Sequence, residues 1–99
     1  MMIIGYQGEI GCYTHTSIKK FLYNKYNKLV NFFSFEDIFN ALKNNEITHG
    51  YIPIENTIGG KINENKLLLK NNNNINIIEN YKFKINHCLL ANKNVKKEN

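Results

Sequence analysis

Hydrophobic residues along this chain follow two spacings, which predict two kinds of secondary structure. Short apolar runs predict three strands, at Met2 to Tyr6, Leu29 to Phe33 and His49 to Ile54. Between these runs, apolar residues recur every three or four positions, which predicts one helix from Thr14 to about Asn27 and a second that opens at Ser34. The buried stripes of the two helices are predicted to be Ile18, Phe21, Leu22 and Tyr26, and Phe35, Ile38, Phe39 and Leu42.

Polar residues mark the ends of the predicted helices. Thr14 is expected to cap the first helix, and Ser34 with Asp37 three residues later resembles a capping box at the start of the second. Asn44 and Asn45 are expected to end that second helix. The order strand, helix, strand, helix, strand predicts an α/β fold, with an open, mostly parallel sheet, right-handed crossovers and flanking helices.

The second half of the chain continues this pattern less regularly. Lys61 to Lys70 is predicted as a third helix, and the asparagine run from Asn71 to Asn74 as a surface loop. Ile75 to Ile78 predicts one extended segment, and the alternation from Tyr81 to Ile85 predicts another that leads into His87 to Ala91. We therefore expect these segments to complete the same small domain.

Composition limits the chemistry that the chain can offer. With 99 residues it forms one small domain at most, and 42% hydrophobic residues make it too apolar to be disordered through most of its length. All 13 basic residues are lysines. No guanidinium fork is therefore available to hold a carboxylate or phosphate through two bonds. We expect any bound anion to be held by lysine, backbone amides or hydroxyls.

The net charge of +5 raises the question of nucleic-acid binding. The lysines are spread along the chain, with one cluster at Lys93, Lys96 and Lys97. The sequence has no phosphate-binding loop, zinc-ligand spacing or aromatic ribonucleoprotein motif. We therefore predict no nucleic-acid partner, and keep a nucleic-acid module only as the third of three hypotheses.

The cysteines and the amino terminus indicate an intracellular protein. Cys12 and Cys88 lie far apart with no secretory leader before them, which favours reduced thiols over a disulfide. The apolar start from Met1 to Ile4 is too short for a signal peptide or a membrane span. We predict a cytoplasmic location and no membrane partner.

Three consecutive polar residues form the sharpest candidate site. Glu55, Asn56 and Thr57 directly follow the third predicted strand, and the edge where such strands end is where open α/β sheets bind ligands. A carboxylate, an amide and a hydroxyl at successive positions supply both donors and acceptors to one polar ligand. The alternative is that Asn56 and Thr57 only form a turn or a helix cap.

Two further segments are candidates with less specific signals. The loop that carries Gly8 and Gly11 precedes the first helix, and this arrangement lets a backbone approach an anion, although a turn that simply needs glycine has the same composition. His87 lies beside Cys88 at the end of an apolar segment, where a lone histidine is more often structural. No partner is spaced to complete a metal site around the pair, so no metal is predicted.

These motifs also carry a resemblance to a known family. Pro53 to Thr57 is similar to the Pro-Ile-Glu-Asn-Ser signature of the prephenate dehydratase family, with Thr57 where that family usually has serine. Ile58 to Ile62 and Asn86 to Leu90 fit the same family, in particular its plant-type arogenate dehydratase branch. The resemblance runs nearly from end to end of the chain.

The resemblance implies which residues contact the substrate. The Glu-Asn-Thr cluster would face the cleft and orient prephenate, and the glycine loop matches the family's Gly-x-x-Gly-Thr-Phe-Ser loop, with Cys12 replacing a small threonine, alanine or serine. His87 would support the site from the hinge side of the cleft. The substrate-binding residues implied in this way are Glu55, Asn56, Thr57, Gly11, Cys12, Tyr13, Thr14 and His87.

The resemblance further implies the first lobe of a two-lobed, periplasmic-binding-protein-like (type 2) fold. Residues 1–91 would form this incomplete lobe of the catalytic domain, and residues 92–99 a lysine-rich tail at the crossover to the second lobe. The family's general acid lies in a Thr-Arg-Phe motif of that second lobe, and this chain has no arginine, so no catalytic residue is expected in it. A phenylalanine-sensing regulatory domain follows in the family, whose full-length members are homo-oligomers.

The function implied is that of a carbon–oxygen lyase of L-phenylalanine biosynthesis, present as an amino-terminal fragment that is inactive alone. Prephenate would become phenylpyruvate, or arogenate phenylalanine, with loss of carbon dioxide and water and with no cofactor. The location would be the cytoplasm, or a plastid if a leader precedes the chain. The alternative from another class is a non-catalytic lobe that binds a small carboxylate or a partner chain.

Overall fold

The structure is a computed structural model that describes residues 1–54, 60–83 and 85–93, and for residues 60–64 and 83 it describes the backbone alone. Within these ranges, five strands and three helices follow one another along the chain. They are β1 (Ile3–Gln7), α1 (Tyr13–Phe21), β2 (Lys28–Phe32), α2 (Phe35–Lys43), β3 (His49–Pro53), α3 (Gly60–Asn71), β4 (Ile75–Phe83) and β5 (Ile85–Asn92).

The described strands form one sheet in the order β2-β1-β3-β5-β4. β1 pairs in parallel with β2 and with β3, as the alternation of strands and helices predicted. β5 is antiparallel to both β3 and β4. β4 therefore runs in the same direction as β3, and the predicted α/β class, a sheet with flanking helices, is confirmed.

The two faces of the sheet carry separate apolar clusters because strand side chains alternate between faces. We call the cluster under α1 the α1 face and the cluster under α2 the α2 face. The α1 face contains Ile4, Tyr6, Ile18, Leu22, Tyr51 and Leu89. The α2 face contains Ile38, Phe39, Ala41, Leu42, Ile47, Ile52, Ile75, Cys88 and Leu90.

The second helix follows the sequence prediction closely. The side chain of Ser34 accepts a hydrogen bond from the Asp37 amide at 3.1 Å, which satisfies one of the unpaired amides at the start of α2. Asn44 is the carboxyl-terminal cap, and Asn45 has a φ of 61°, a left-handed conformation that asparagine tolerates and that ends the helix. Of the predicted stripe, Ile38, Phe39 and Leu42 are buried, and Phe35 packs against their cluster.

The first helix differs from the prediction at both ends. α1 begins at Tyr13 with Cys12 as its cap residue, so Thr14 is not the cap but the second residue of the helix. α1 ends at Phe21, six residues before Asn27, and Asn24 beyond it has a φ of 63°. Apolar spacing overestimated this helix because Leu22 and Tyr26 still contribute to the α1 face after the helix has ended.

The carboxyl-terminal hairpin also differs from the prediction. Tyr81 and Phe83 belong to the same strand as Ile75, and the chain reverses between Phe83 and Ile85. The register shifts between Ile77 and Glu79, which marks a bulge or irregularity in the pairing. Two strands exist, as predicted, but the boundary between them lies after Phe83 and not before Tyr81. The register shift changes the side-chain alternation within β4, which explains why the apolar pattern divided this strand. α3 confirms the predicted third helix, with Asn71 inside it.

No described helix combines the length and the apolar character needed to cross a bilayer.

Close packing at Gly5 generates a prediction about stability. A methyl group on this residue of β1 would lie 2.6 Å from Ile47 Cδ1 and 2.7 Å from Phe32 Cε2, both shorter than van der Waals contact. We expect Gly5→Ala to lower the free energy of unfolding by about 2 kcal/mol, the usual cost of overpacking a core. Urea unfolding measures the change. Asn31→Ala, at an exposed position of the neighbouring strand β2, is the control, and an equal loss in both variants would contradict the packing argument.

Candidate functional site

The ends of three neighbouring strands meet at one edge of the sheet, which we call the site edge. β1 and β3 are parallel, so their carboxyl ends, Gln7 and Pro53, lie at the same edge. β5 runs the other way, and its residue His87 pairs with Pro53. Ile54 extends this pairing, because its amide donates to the Asn86 carbonyl at 2.8 Å. The described segments that hold candidate residues thus converge although they lie far apart in the sequence.

The glycine loop between β1 and α1 is built on two residues with positive φ. Gly8 has a φ of 130° and Gly11 a φ of 95°, conformations that residues with a Cβ rarely adopt. The Cys12 amide donates to the Glu9 carbonyl at 3.0 Å, and the Gly11 amide donates to His15 Nδ1 at 3.2 Å. These bonds fix the turn that delivers the chain into α1 at the site edge.

Thr14 and His87 are in direct contact inside the protein. Thr14 Oγ1 lies 3.0 Å from His87 Nε2, and His87 Nδ1 lies 3.2 Å from the Ile85 carbonyl oxygen. His87 has no exposed surface and Thr14 is only 8% exposed. The pair therefore joins the start of α1 to the start of β5, with both histidine nitrogens engaged.

A second polar contact lies one helical turn further along α1. Ser17 Oγ lies 2.6 Å from the Tyr51 hydroxyl oxygen, and both residues are fully buried. The ring of Tyr51 stacks on that of His87, with centroids 5.1 Å apart and an angle of 10° between the planes. Thr14, Ser17 and Ile18 share the inner face of α1, as their spacing of three and four requires. The two contacts dock this face onto β3 and β5.

Burial governs the titration of this cluster. The pKa of His87 is lowered from 6.5, because burial disfavours the imidazolium, while the bond to the Ile85 carbonyl acts in the opposite direction. Burial raises the pKa of Tyr51 to about 12. The buried thiol of Cys88, on the opposite face of the sheet, donates to Asn80 Oδ1 at 3.0 Å, and burial raises its pKa to about 11. Cys88 is therefore a thiol at neutral pH, and no group of three potential metal ligands occurs in the described part of the chain.

The structure describes some of the predicted site residues and not others. Glu55, Asn56 and Thr57 lie outside the described residues. Thr14 and His87 are brought together, and Gly11 and Cys12 form the turn immediately before them. The side chain of Tyr13 is 55% exposed. Of the predicted site residues, the structure therefore brings together Thr14, which follows the glycine loop, and His87.

Asn65 is a buried polar residue near the site edge that the sequence reasoning missed. Its Nδ2 donates to the Pro53 carbonyl at 2.8 Å and holds α3 against the end of β3. Among the buried side-chain nitrogen and oxygen atoms of the described residues, its Oδ1 is the one atom without a hydrogen-bond partner. A sequence signal exists, because Asn65 precedes Leu68 and Leu69 by three and four positions, and both leucines pack on the α2 face.

The sequence of this chain is similar to the sequences of known proteins of one family. The sequence model of prephenate dehydratase matches residues 4–99. The chain is 35% identical over 96 residues to arogenate dehydratase 2 of Petunia hybrida, covering 96% of this chain and 23% of that protein. It is 34% identical over 93 residues to the Arabidopsis thaliana protein named arogenate dehydratase/prephenate dehydratase 2, chloroplastic, covering 93% of this chain and 23% of that protein.

A bacterial relative and two solved structures extend the comparison. The bifunctional chorismate mutase/prephenate dehydratase of Buchnera aphidicola subsp. Schizaphis graminum is 32% identical over 90 residues, covering 89% of this chain and 23% of that protein. Prephenate dehydratase from Streptococcus mutans superposes with a TM-score of 0.73 at 21% identity, covering 93% of this chain and 50% of that one. GqqA, described as a quorum quenching acylase, gives 0.71 at 15% identity over 91% and 47%. At these identities the structural likeness shows the fold alone.

The lowered pKa of His87 generates a prediction about pH. The unfolded chain binds a proton at His87 near pH 6.5 and the folded chain only at lower pH, so stability is lost as pH falls below 6.5. One such histidine contributes a slope of at most about 1.4 kcal/mol per pH unit. We expect His87→Gln to flatten the dependence measured by urea unfolding between pH 5 and 7.5.

His49 is the matched control for this measurement. Its pKa is lowered too, first by burial and then by the nearby amino terminus, so it contributes in the same direction. His49→Gln should remove its own share of the slope and leave the share of His87 in place. An unchanged slope in His87→Gln would show that His87 does not titrate as its burial requires.

Asn65 generates a second prediction about stability. Asn65→Asp would place a carboxylate oxygen against the Pro53 carbonyl at a fully buried position, so we expect a loss of about 3 kcal/mol at pH 8. Asn65→Leu loses the same bond but also removes the unpartnered oxygen, so we expect a loss of about 1 kcal/mol or less. Urea unfolding of both variants measures the difference. Equal losses would mean that Oδ1 has a partner in solution.

Proposed function

This chain belongs to the prephenate dehydratase family, and we propose that it supplies the substrate-binding first lobe of a prephenate or arogenate dehydratase. Residues 1–91 form that lobe in this proposal, and residues 92–99 lead toward a second lobe. The chain spans 23% of the curated relatives and 50% of the solved dehydratase chain, so the complete enzyme requires polypeptide beyond the 99 residues. The convergence of the glycine loop, the end of β3 and His87 at one edge is the observation that carries the proposal.

The proposed reaction converts a cyclohexadiene into an aromatic ring. The ring carboxylate leaves as carbon dioxide, the electron pair of the broken carbon–carbon bond enters the ring, and the ring carbon–oxygen bond breaks. A general acid protonates the departing hydroxyl group, which leaves as water. Aromatisation drives the reaction, so the protein has to orient the substrate and deliver one proton. No electron donor, electron acceptor or cofactor enters this balance.

The described residues account for orientation. The backbone of the glycine loop can approach the substrate closely at Gly8 and Gly11, and the positive end of the α1 dipole lies beside it. Asn65 anchors the Pro53 end of β3, from which the proposed substrate residues Glu55, Asn56 and Thr57 follow in the sequence. Together with Gly11, Cys12, Tyr13 and Thr14 they complete the proposed binding set, which the buried His87 supports through its contact with Thr14.

The acid has to come from outside this chain. The family's acid belongs to a Thr-Arg-Phe motif, and the 99 residues contain no arginine. The two buried titratable groups near the site edge do not suit this role, because burial lowers the pKa of His87 and raises the pKa of Tyr51 to about 12. The proposal therefore assigns binding to this chain and proton delivery to the second lobe.

The cell compartment follows the relatives in this proposal. The action is assigned to the cytoplasm, or to a plastid if a leader precedes the chain, as the name of the chloroplastic Arabidopsis relative illustrates. The substrate is a small dicarboxylate or amino dicarboxylate, and a further partner is the second lobe.

The second candidate function is a lobe that binds a small carboxylate without catalysis. The observation that favours it is the same lack of the Thr-Arg-Phe acid in this chain. Binding a ligand requires the groups at the site edge but no general acid. The two functions differ in what happens when a second lobe is supplied.

Reconstitution separates the two functions. We expect the purified chain to form no phenylpyruvate from prephenate, and a mixture with a separately produced second lobe carrying Thr-Arg-Phe to form it. The second lobe alone, and a mixture with its catalytic threonine changed to valine, are the controls. Turnover by the 99-residue chain alone would contradict the assignment of the acid, and saturable prephenate binding in a silent mixture would support the binding lobe.

A further inference from the structure

The contacts of His87 determine which of its nitrogens carries the proton. Nδ1 lies 3.2 Å from the Ile85 carbonyl oxygen, and a carbonyl oxygen can only accept, so Nδ1 bears the hydrogen. A neutral imidazole has one N–H group, so Nε2 is an acceptor. Thr14 Oγ1, 3.0 Å from Nε2, must then be the donor. The single hydroxyl hydrogen of Thr14 is therefore committed to His87.

The other protonation states of His87 fit the surroundings poorly. A hydrogen on Nε2 alone would leave the lone pairs of Nδ1 and the Ile85 oxygen facing each other at 3.2 Å. A hydrogen on both nitrogens would place a cation at a residue with no exposed surface, in contact with the neutral ring of Tyr51. Burial also lowers the pKa of His87, in agreement with the neutral form.

The commitment of the hydrogen leaves Thr14 with acceptor capacity only. A hydroxyl oxygen has two lone pairs, and the bond to His87 is the one hydrogen bond of the Thr14 side chain to the rest of the described chain. Thr14 keeps 8% of its surface exposed, at the start of α1 and therefore at the site edge. A ligand that reaches this oxygen meets lone pairs and no hydrogen.

We propose that Thr14 recognises an O–H or N–H group of the substrate and does not bind its carboxylates, with His87 as the positioning residue that sets this polarity. The inference rests on the proposed function above and specifies which part of the substrate the glycine loop holds. Both prephenate and arogenate carry a ring hydroxyl, and arogenate alone carries a side-chain ammonium group. A ring hydroxyl that donates to Thr14 keeps its own lone pairs open to the general acid.

The direction of the Thr14 hydroxyl is testable on the 99-residue chain without any activity. Nitrogen-15 NMR of the imidazole distinguishes a protonated from an unprotonated ring nitrogen. We expect His87 Nδ1 to be protonated and Nε2 to be unprotonated at pH 7.5. Thr14→Val should shift the Nε2 resonance by removing its bond, and Thr14→Ser should restore it. A hydrogen on Nε2 in the wild-type chain would overturn the proposal.

The ligand group is testable in the reconstituted enzyme with prephenate and arogenate as probes. We expect Thr14→Val to lower kcat/KM about tenfold and Thr14→Ser to recover most of the loss, since one hydrogen bond is removed and then replaced. Equal losses with both substrates would identify the ring hydroxyl as the donor, and a loss with arogenate alone would identify the ammonium group. Circular dichroism checks the fold of each variant, and Thr14→Ala replaces Thr14→Val if the latter is unfolded.

Unchanged kcat/KM for both substrates in Thr14→Val, or a Thr14→Ser variant as impaired as Thr14→Val, would overturn the inference. A wild-type mixture that turns over neither substrate would refute the proposed function instead. In that case the NMR experiment still decides whether Thr14 presents lone pairs or a hydrogen at the site edge, so the two failures are distinguishable.

Discussion

The hydrogen bond between Thr14 and His87 is the constraint on which the geometry of the site edge depends. It joins residues 73 positions apart, one at the start of α1 and one at the start of β5. A buried polar group is costly unless it is paired, so each residue requires the other to be in place. The glycine loop leads directly into Thr14. The bond to His87 therefore fixes the end of the loop relative to β5 of the sheet.

Much of the fold could be predicted from the apolar pattern, because the helices bury one face each and the central strands β1, β3 and β5, which are covered on both faces, appear as short apolar runs. α2 follows this rule fully, since its apolar stripe, its Ser34 cap and its asparagine end all point to the same element. α1 departs from it because Leu22, which is buried, and Tyr26, which is partly buried, pack on the α1 face beyond the helix end. In β4 the register shift between Ile77 and Glu79 interrupts the alternation of apolar and polar side chains. The extent of this strand was therefore predicted incorrectly.

The candidate site was predictable as a set of segments but not as a set of contacts. Composition and motif order indicated the glycine loop and His87, and the sheet explains why they meet. Ser17, Tyr51 and Asn65 were missed because a polar residue on an inner face looks unremarkable in sequence until its partner is known. The pairing partners lie 34 and 12 residues away, distances at which local patterns carry no information.

The two cysteines differ in how accessible their thiols are to reagents in solution. Cys88 lies in β5 on the α2 face, buried, hydrogen-bonded and protonated at neutral pH. Cys12 lies in the glycine loop and is partly exposed. A small alkylating reagent therefore encounters the loop thiol first, and the loop offers a natural attachment point for a fluorophore or spin label that leaves the interior untouched.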